Sequence, residues 1–183
     1  MKVFLNPGHD QNLDSGAVNP NTGLRECDIA AGIGGLVEQY LSLAGCEVYN
    51  LQSDNLNGET PHLPCVVQTA NNWEADIFVS IHCNAANTQA RGTETLVYSL
   101  GGKAERLANC IQRQIVDSLG TIDRGIKVRP NLCVLRSTDM PAVLVEMAFI
   151  DNDTDLRILT EKADEMARAI ARGITDYELE AAR

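Results

Sequence analysis

The stretch that most constrains the fold is Asp76-Ile77-Phe78-Val79-Ser80-Ile81-His82-Cys83-Asn84-Ala85. Four of the five residues from Ile77 to Ile81 are apolar. Such a run reads as a strand buried on both faces, the situation of a central strand in a parallel α/β sheet. It ends abruptly in a histidine and an amide. The carboxyl end of a parallel sheet is where ligands bind, because the loops leaving the strands open a crevice there. Two other apolar runs end in the same way: Val3-Phe4-Leu5 leads through Asn6-Pro7-Gly8 to His9, and Ala142-Val143-Leu144-Val145 leads directly to Glu146.

Around this strand the chain alternates strand and helix patterns with no repeat or linker. The expectation is a single α/β domain over residues 1–183, a mostly parallel twisted sheet of about six strands with helices on both faces. Strands are expected near 2–6, 47–51, 77–81, 92–98, 132–135 and 142–145, and helices near 26–44, 63–73, 103–119 and 161–177. Gly45 and Gly120 are placed to end the first and third helices. Residues 7–23 form a loop rich in Gly, Asn and Asp, long enough to suggest a functional role.

Composition excludes several function classes. A net charge of −10 leaves no electrostatic footprint for nucleic acid and no basic cluster for an anionic membrane surface, so neither partner is expected. Three apolar residues between Lys2 and Asn6 are too few for the core of a signal peptide, and no later stretch is long enough to span a bilayer; a secretion route is therefore not legible here. The six cysteines, at 27, 46, 65, 83, 110 and 133, contain no CxxC pair and read as free, packed small residues. Cys83 adjoins His82, but successive strand side chains point to opposite faces, which argues against a nucleophile pair.

The residues suited to chemistry are His9, Glu26 and His82, with Glu146 beside them. Two imidazoles and a carboxylate leave a coordination position open, as in a catalytic zinc site. Taken singly, His9 could be a loop histidine, Glu26 a charge favoured at a helix N-terminus, and His82 a satisfied histidine. The same donor set also describes the facial triad of mononuclear iron oxygenases, but those enzymes are all-β jelly rolls, whereas this chain has at least three long helical patterns. Asp10 and Asn84 are candidates, by proximity in sequence, to orient the imidazoles. His62 lies in a Pro-flanked polar stretch and reads as a loop histidine.

Four ordered motifs extend this reading: Asn6-Pro7-Gly8-His9-Asp10 followed by Asp14-Ser15-Gly16-Ala17; Gly23-Leu24-Arg25-Glu26; Ser80-Ile81-His82-Cys83-Asn84-Ala85; and Met140 through Asn152. Over nearly its whole length the chain resembles the type 3 family of zinc-dependent N-acetylmuramoyl-L-alanine amidases, which cleave bacterial peptidoglycan. The resemblance implies that His9, Glu26 and His82 bind one zinc ion and that Glu146 is catalytic. It implies cleavage of the amide between N-acetylmuramic acid and L-alanine, by a monomeric catalytic domain acting on the cell wall, in a phage lysin or a host remodelling enzyme. The chain departs from the family at Val66 or Val67, where an arginine is frequent, and at Cys83, where alanine or serine is usual. A wall-binding domain that has lost catalysis on the same fold is the alternative; retention of all three ligands and Glu146 speaks against it.

Overall fold

The computed structural model describes residues 1–60 and 64–181. Its elements run β1 (Lys2–Pro7), α1 (Glu26–Leu43), β2 (Glu47–Asn50), α2 (Val66–Asn72), β3 (Ile77–Asn84), β4 (Thr93–Val97), α3 (Lys103–Leu119), β5 (Asp123–Val128), α4 (Cys133–Arg136), β6 (Ala142–Phe149), α5 (Asp153–Glu161) and α6 (Ala163–Ala181). The strands form one sheet in the order β2-β1-β3-β6-β4-β5. Every neighbouring pair is parallel except β4 with β6. The fold is thus the mostly parallel six-stranded α/β sheet that the pattern predicts.

Strand alternation divides the core in two. Val3, Leu5, Ile77, Val79, Ile81, Val143 and Val145 point to one side, where the apolar stripes of α1, α3 and α6 cover them. Phe4, Phe78, Leu96 and Leu144 point to the other, where the short helices α2 and α4 pack. The asymmetry positions the site. On the thinly covered side, the same alternation continues from Phe78 through Ser80 to His82 and from Leu144 to Glu146, so these polar ends emerge where α2 and α4 no longer reach. Val66 and Val67 are buried in this second layer, which explains apolar residues there.

Several expected elements differ. Leu132–Leu135 is not a strand; Cys133–Arg136 forms one helical turn, because so short an apolar run fits either periodicity and here it packs against β6. The sixth strand is instead Asp123–Val128, whose Asp-Arg-Gly start carries no alternation and which pairs only with β4 at the sheet edge. The expected terminal helix at 161–177 is found as α6, and a further helix that the pattern did not predict, α5, precedes it, the two meeting at Lys162. The first, α5, is capped by Asn152, whose side chain accepts from the Thr154 and Asp155 N–H groups. Gly120 ends α3 in a left-handed conformation at φ 66°, as predicted. All six cysteines are free. The helix expected at 63–73 is found as Val66–Asn72; residue 63 and His62 lie outside the described residues.

Candidate metal centre

The three expected ligands arrive from separate elements. His82 projects from β3 near its carboxyl end, His9 lies two residues beyond β1, and Glu26 is the first residue of α1. Glu26 is buried, and both its oxygens are engaged. Oε1 accepts from the Cys83 N–H at 2.9 Å and lies 2.9 Å from His82 Nδ1; Oε2 accepts from the Ala17 N–H at 2.9 Å and lies 3.1 Å from His9 Nε2. The two rings meet edge to face, with centroids 5.1 Å apart. One donor atom from each of the three residues lies within 4.8 Å of the others. Two imidazoles and a carboxylate are a donor set that an open zinc site uses, and this spacing is compatible with a shared ion.

Local backbone makes the convergence possible. His9 sits in the left-handed region at φ 66°, a conformation a non-glycine residue holds only under constraint. The Gly8 N–H bonded to Ile81 O at 2.9 Å, and reciprocal Asp10 and Asp14 backbone bonds, supply that constraint. Two glycines clear space for the rings. A Cβ on Gly8 would lie 2.3 Å from His82 Cε1, and one on Gly16 would lie 2.5 Å from His9 Cδ2.

The groups that hold the expected ligands are not the ones expected from adjacency. Asp14, not Asp10, meets the outer nitrogen of His9, with Oδ2 2.7 Å from Nδ1. Asp10 Oδ1 instead accepts from the Asn12 and Leu13 N–H groups and shapes the loop. Asn84 donates to Glu94 Oε1 at 3.2 Å and touches neither imidazole. Gln52, unmarked in the sequence, donates to the carbonyls of both Gly8 and Cys27, tying the His9 loop to α1.

Glu146 lies in register with His82 on β3 and with Glu94 on β4, so the three side chains form a row across the sheet. Its Oε2 is buried without a hydrogen-bond partner among the described residues. Arg124 Nε donates to Glu94 Oε2 at 2.8 Å, neutralising the far end of the row. Burial, then the negative charges of Glu26 and Glu94, push the Glu146 carboxyl up to about 8, with His9 opposing. Burial works against ionisation of Glu26 as well, but hydrogen bonds from His82 and His9 outweigh it and hold that carboxyl well below its usual range. The hydrogen bond to Glu26, reinforced by Asp14, raises His9 to about 9 against the effect of burial. The site therefore holds one carboxylate, Glu26, kept charged beside the imidazoles and another, Glu146, that readily takes a proton, the pairing expected where acid–base chemistry is done.

A family profile described as N-acetylmuramoyl-L-alanine amidase matches residues 3–176. The chain is 38% identical over 179 residues to the uncharacterized protein YqiI of Bacillus subtilis, covering 96% of this chain and 84% of that protein. It is 34% identical over 181 residues to the N-acetylmuramoyl-L-alanine amidase LytC of the same species, covering 96% of this chain but 35% of LytC. It likewise spans less than half the length of other curated relatives, 35% of one from Bacillus anthracis and 43% of one from Clostridium perfringens. Among solved structures, the N-acetylmuramoyl-L-alanine amidase AmiC2 of Nostoc punctiforme superposes with a TM-score of 0.85 at 30% identity, covering 98% of this chain and 97% of that one. With the profile spanning nearly the whole sequence and the sheet shared throughout, this chain belongs to the type 3 family of N-acetylmuramoyl-L-alanine amidases.

Proposed function

We propose that this chain is a zinc-dependent hydrolase of the amide joining the lactyl group of N-acetylmuramic acid to L-alanine in bacterial peptidoglycan. His9, Glu26 and His82 hold one zinc ion, and Glu146 is the catalytic acid–base group. The observation that carries this reading is the convergence of those three donors next to a buried carboxylate with an unpartnered oxygen, in a chain of this family.

The chemistry a bound zinc ion supplies is polarisation of the scissile carbonyl and acidification of the attacking water. Glu26 contributes the negative charge of the donor set, kept ionised by the imidazoles and by the Ala17 and Cys83 N–H groups. Asp14 holds His9 so that Nε2 faces inward. Glu146 takes the proton from the attacking water and returns it to the departing alanine nitrogen, using the oxygen that no protein group occupies. Arg124 offsets Glu94, so that the row carries less uncompensated charge.

We read the chain as a monomeric catalytic domain, one that carries all four of these side chains itself. No described helix is long and apolar enough to cross a membrane. The site of action is the cell wall; the Bacillus anthracis relative is named a cell wall amidase. The test is turnover on purified wall with and without a chelator. Release of new L-alanine amino termini that stops on chelation and resumes with zinc supports the reading; chelator-insensitive release removes the zinc requirement, and binding without release favours a wall-binding domain.

A further inference from the structure

A cavity of about 160 Å³ sinks into the sheet face beside the candidate metal centre. His9 and His82 lie at its rim, and Leu56, Leu132, Val134 and Leu144 supply apolar wall. Its other polar side chains are already engaged. Asn6 Nδ2 donates to the Leu51 carbonyl at 3.0 Å, Asn6 Oδ1 accepts from Ser80 Oγ at 3.0 Å, and Asp14 accepts from His9 and from the Gly16 N–H. Asp54 is the exception: its Oδ1 is buried with no hydrogen-bond partner among the described residues. An unpaired buried acceptor costs free energy unless a donor arrives, and the cavity that Asp54 lines offers a donor a way in.

Size and position narrow what arrives. Whole-ligand pockets typically start at about 300 Å³, so this cavity takes one part of a substrate and not the whole of it. It touches both imidazoles but not Glu146. Because Glu146 protonates the departing amine, the amine side of the scissile bond lies toward Glu146 and the cavity serves the acyl side. On the acyl side the lactyl ether occupies C3 of the muramic acid ring, and its neighbour at C2 is the acetamido group. That group offers one methyl and one N–H donor, matching an apolar wall with one free carboxylate. Resting on the amidase reading above, we propose that this cavity receives the 2-acetamido group of the muramic acid residue, with its methyl against Leu132, Val134 and Leu144 and its N–H donated to Asp54.

The experiment compares a synthetic disaccharide–peptide with the same compound carrying hydrogen in place of the muramoyl acetamido group. Zinc-loaded wild type is expected to prefer the acetamido substrate. In Asp54→Ala that preference should shrink by roughly 10- to 100-fold, the range for a hydrogen bond to a charged group, with the change carried by KM and not kcat. An undiminished preference in the variant overturns the assignment of Asp54, and a wild type that cleaves both compounds equally overturns the acetamido pocket while leaving the amidase reading intact. A wild type that cleaves neither overturns the amidase reading itself. Should Asp54→Ala fail to fold, the unmodified protein decides: an N-butanoyl group in place of N-acetyl should cut kcat/KM at least tenfold, and equal turnover of the two overturns the proposal.

Discussion

His82 on β3 and Glu146 on β6 occupy the same register position of two parallel strands, so both side chains leave the same face of the sheet side by side. Their closeness is thus set by the ladder and not by a mobile loop. Glu26 is brought to them from α1, and its contact with the Cys83 N–H pins the helix start to β3 next to His82. Catalytic groups held on rigid elements in this way keep their mutual geometry through turnover.

Asp14→Ala should weaken zinc binding by roughly 10- to 100-fold, the usual cost of losing the group that orients a ligating histidine. Asp14 is half exposed, so the fold should tolerate the change. A competition titration against a chromophoric chelator measures the affinity; a wild-type value would mean that His9 is held by its backbone alone.

Gly8→Ala places a Cβ 2.3 Å from His82 Cε1 and 2.5 Å from Nδ1, closer than any real contact. The ring must move. Overpacking of this kind costs about 1–3 kcal/mol, and the zinc-free variant should melt below wild type. Its zinc affinity should fall too, since the displaced atoms belong to a donor ring. Calorimetry together with metal titration checks both, and unchanged affinity would show that His82 has a second metal-competent seat.

The metal-free protein should lose stability as pH rises. Glu146 ordinarily titrates near 4.5 but in the fold near 8; His9 ordinarily titrates near 6.5 but in the fold near 9. In both windows the folded chain holds more protons than the unfolded chain, so stability falls with rising pH, most steeply where the windows overlap, between about 6.5 and 8. Glu26, with its lowered value, acts oppositely and only toward acid: its stabilisation is present above 4.5 and lost as pH falls below that. Zinc binding needs neutral imidazoles, so the melting-temperature gain from zinc should widen over the same interval. Scanning calorimetry of chelated and zinc-loaded samples from about pH 6 to about pH 9 decides it; a flat or rising profile in the chelated protein contradicts the assignment.

How much of this was legible in the sequence follows from which interactions are local. The apolar run from Ile77 to Ile81 predicts burial on both faces, and two distinct core layers meet it. His9, Glu26, His82 and Glu146 stand out because each closes an apolar run or opens a helix, but the roles expected of them come from the family resemblance of the ordered motifs and not from their positions. The partners of those residues follow from nonlocal geometry. Asp14 replaces Asp10 because the left-handed turn at His9 swings the loop back on itself. Glu94 joins Glu146 through an antiparallel register that no spacing announces. The β5 strand was hidden because an edge strand with a bulge opposite Glu94 needs no apolar alternation.

Glu146→Gln tests the mechanism most directly. Glutamine keeps the shape and a hydrogen-bonding oxygen but cannot accept the proton. It also removes a carboxylate that burial and two neighbouring negative charges already disfavour, so the variant should fold and melt, without metal at alkaline pH, no lower than wild type. None of the three donors is altered, so stoichiometric zinc should be retained. Against that intact background the rate of amide hydrolysis should fall by roughly 10²- to 10⁴-fold, the contribution typical of general acid–base catalysis. A structural carboxylate would show the reverse pattern, with lowered stability and near-normal turnover. If the zinc-loaded variant still releases L-alanine amino termini from peptidoglycan at close to wild-type speed, proton transfer belongs to another group and Glu146 serves only the architecture of β6.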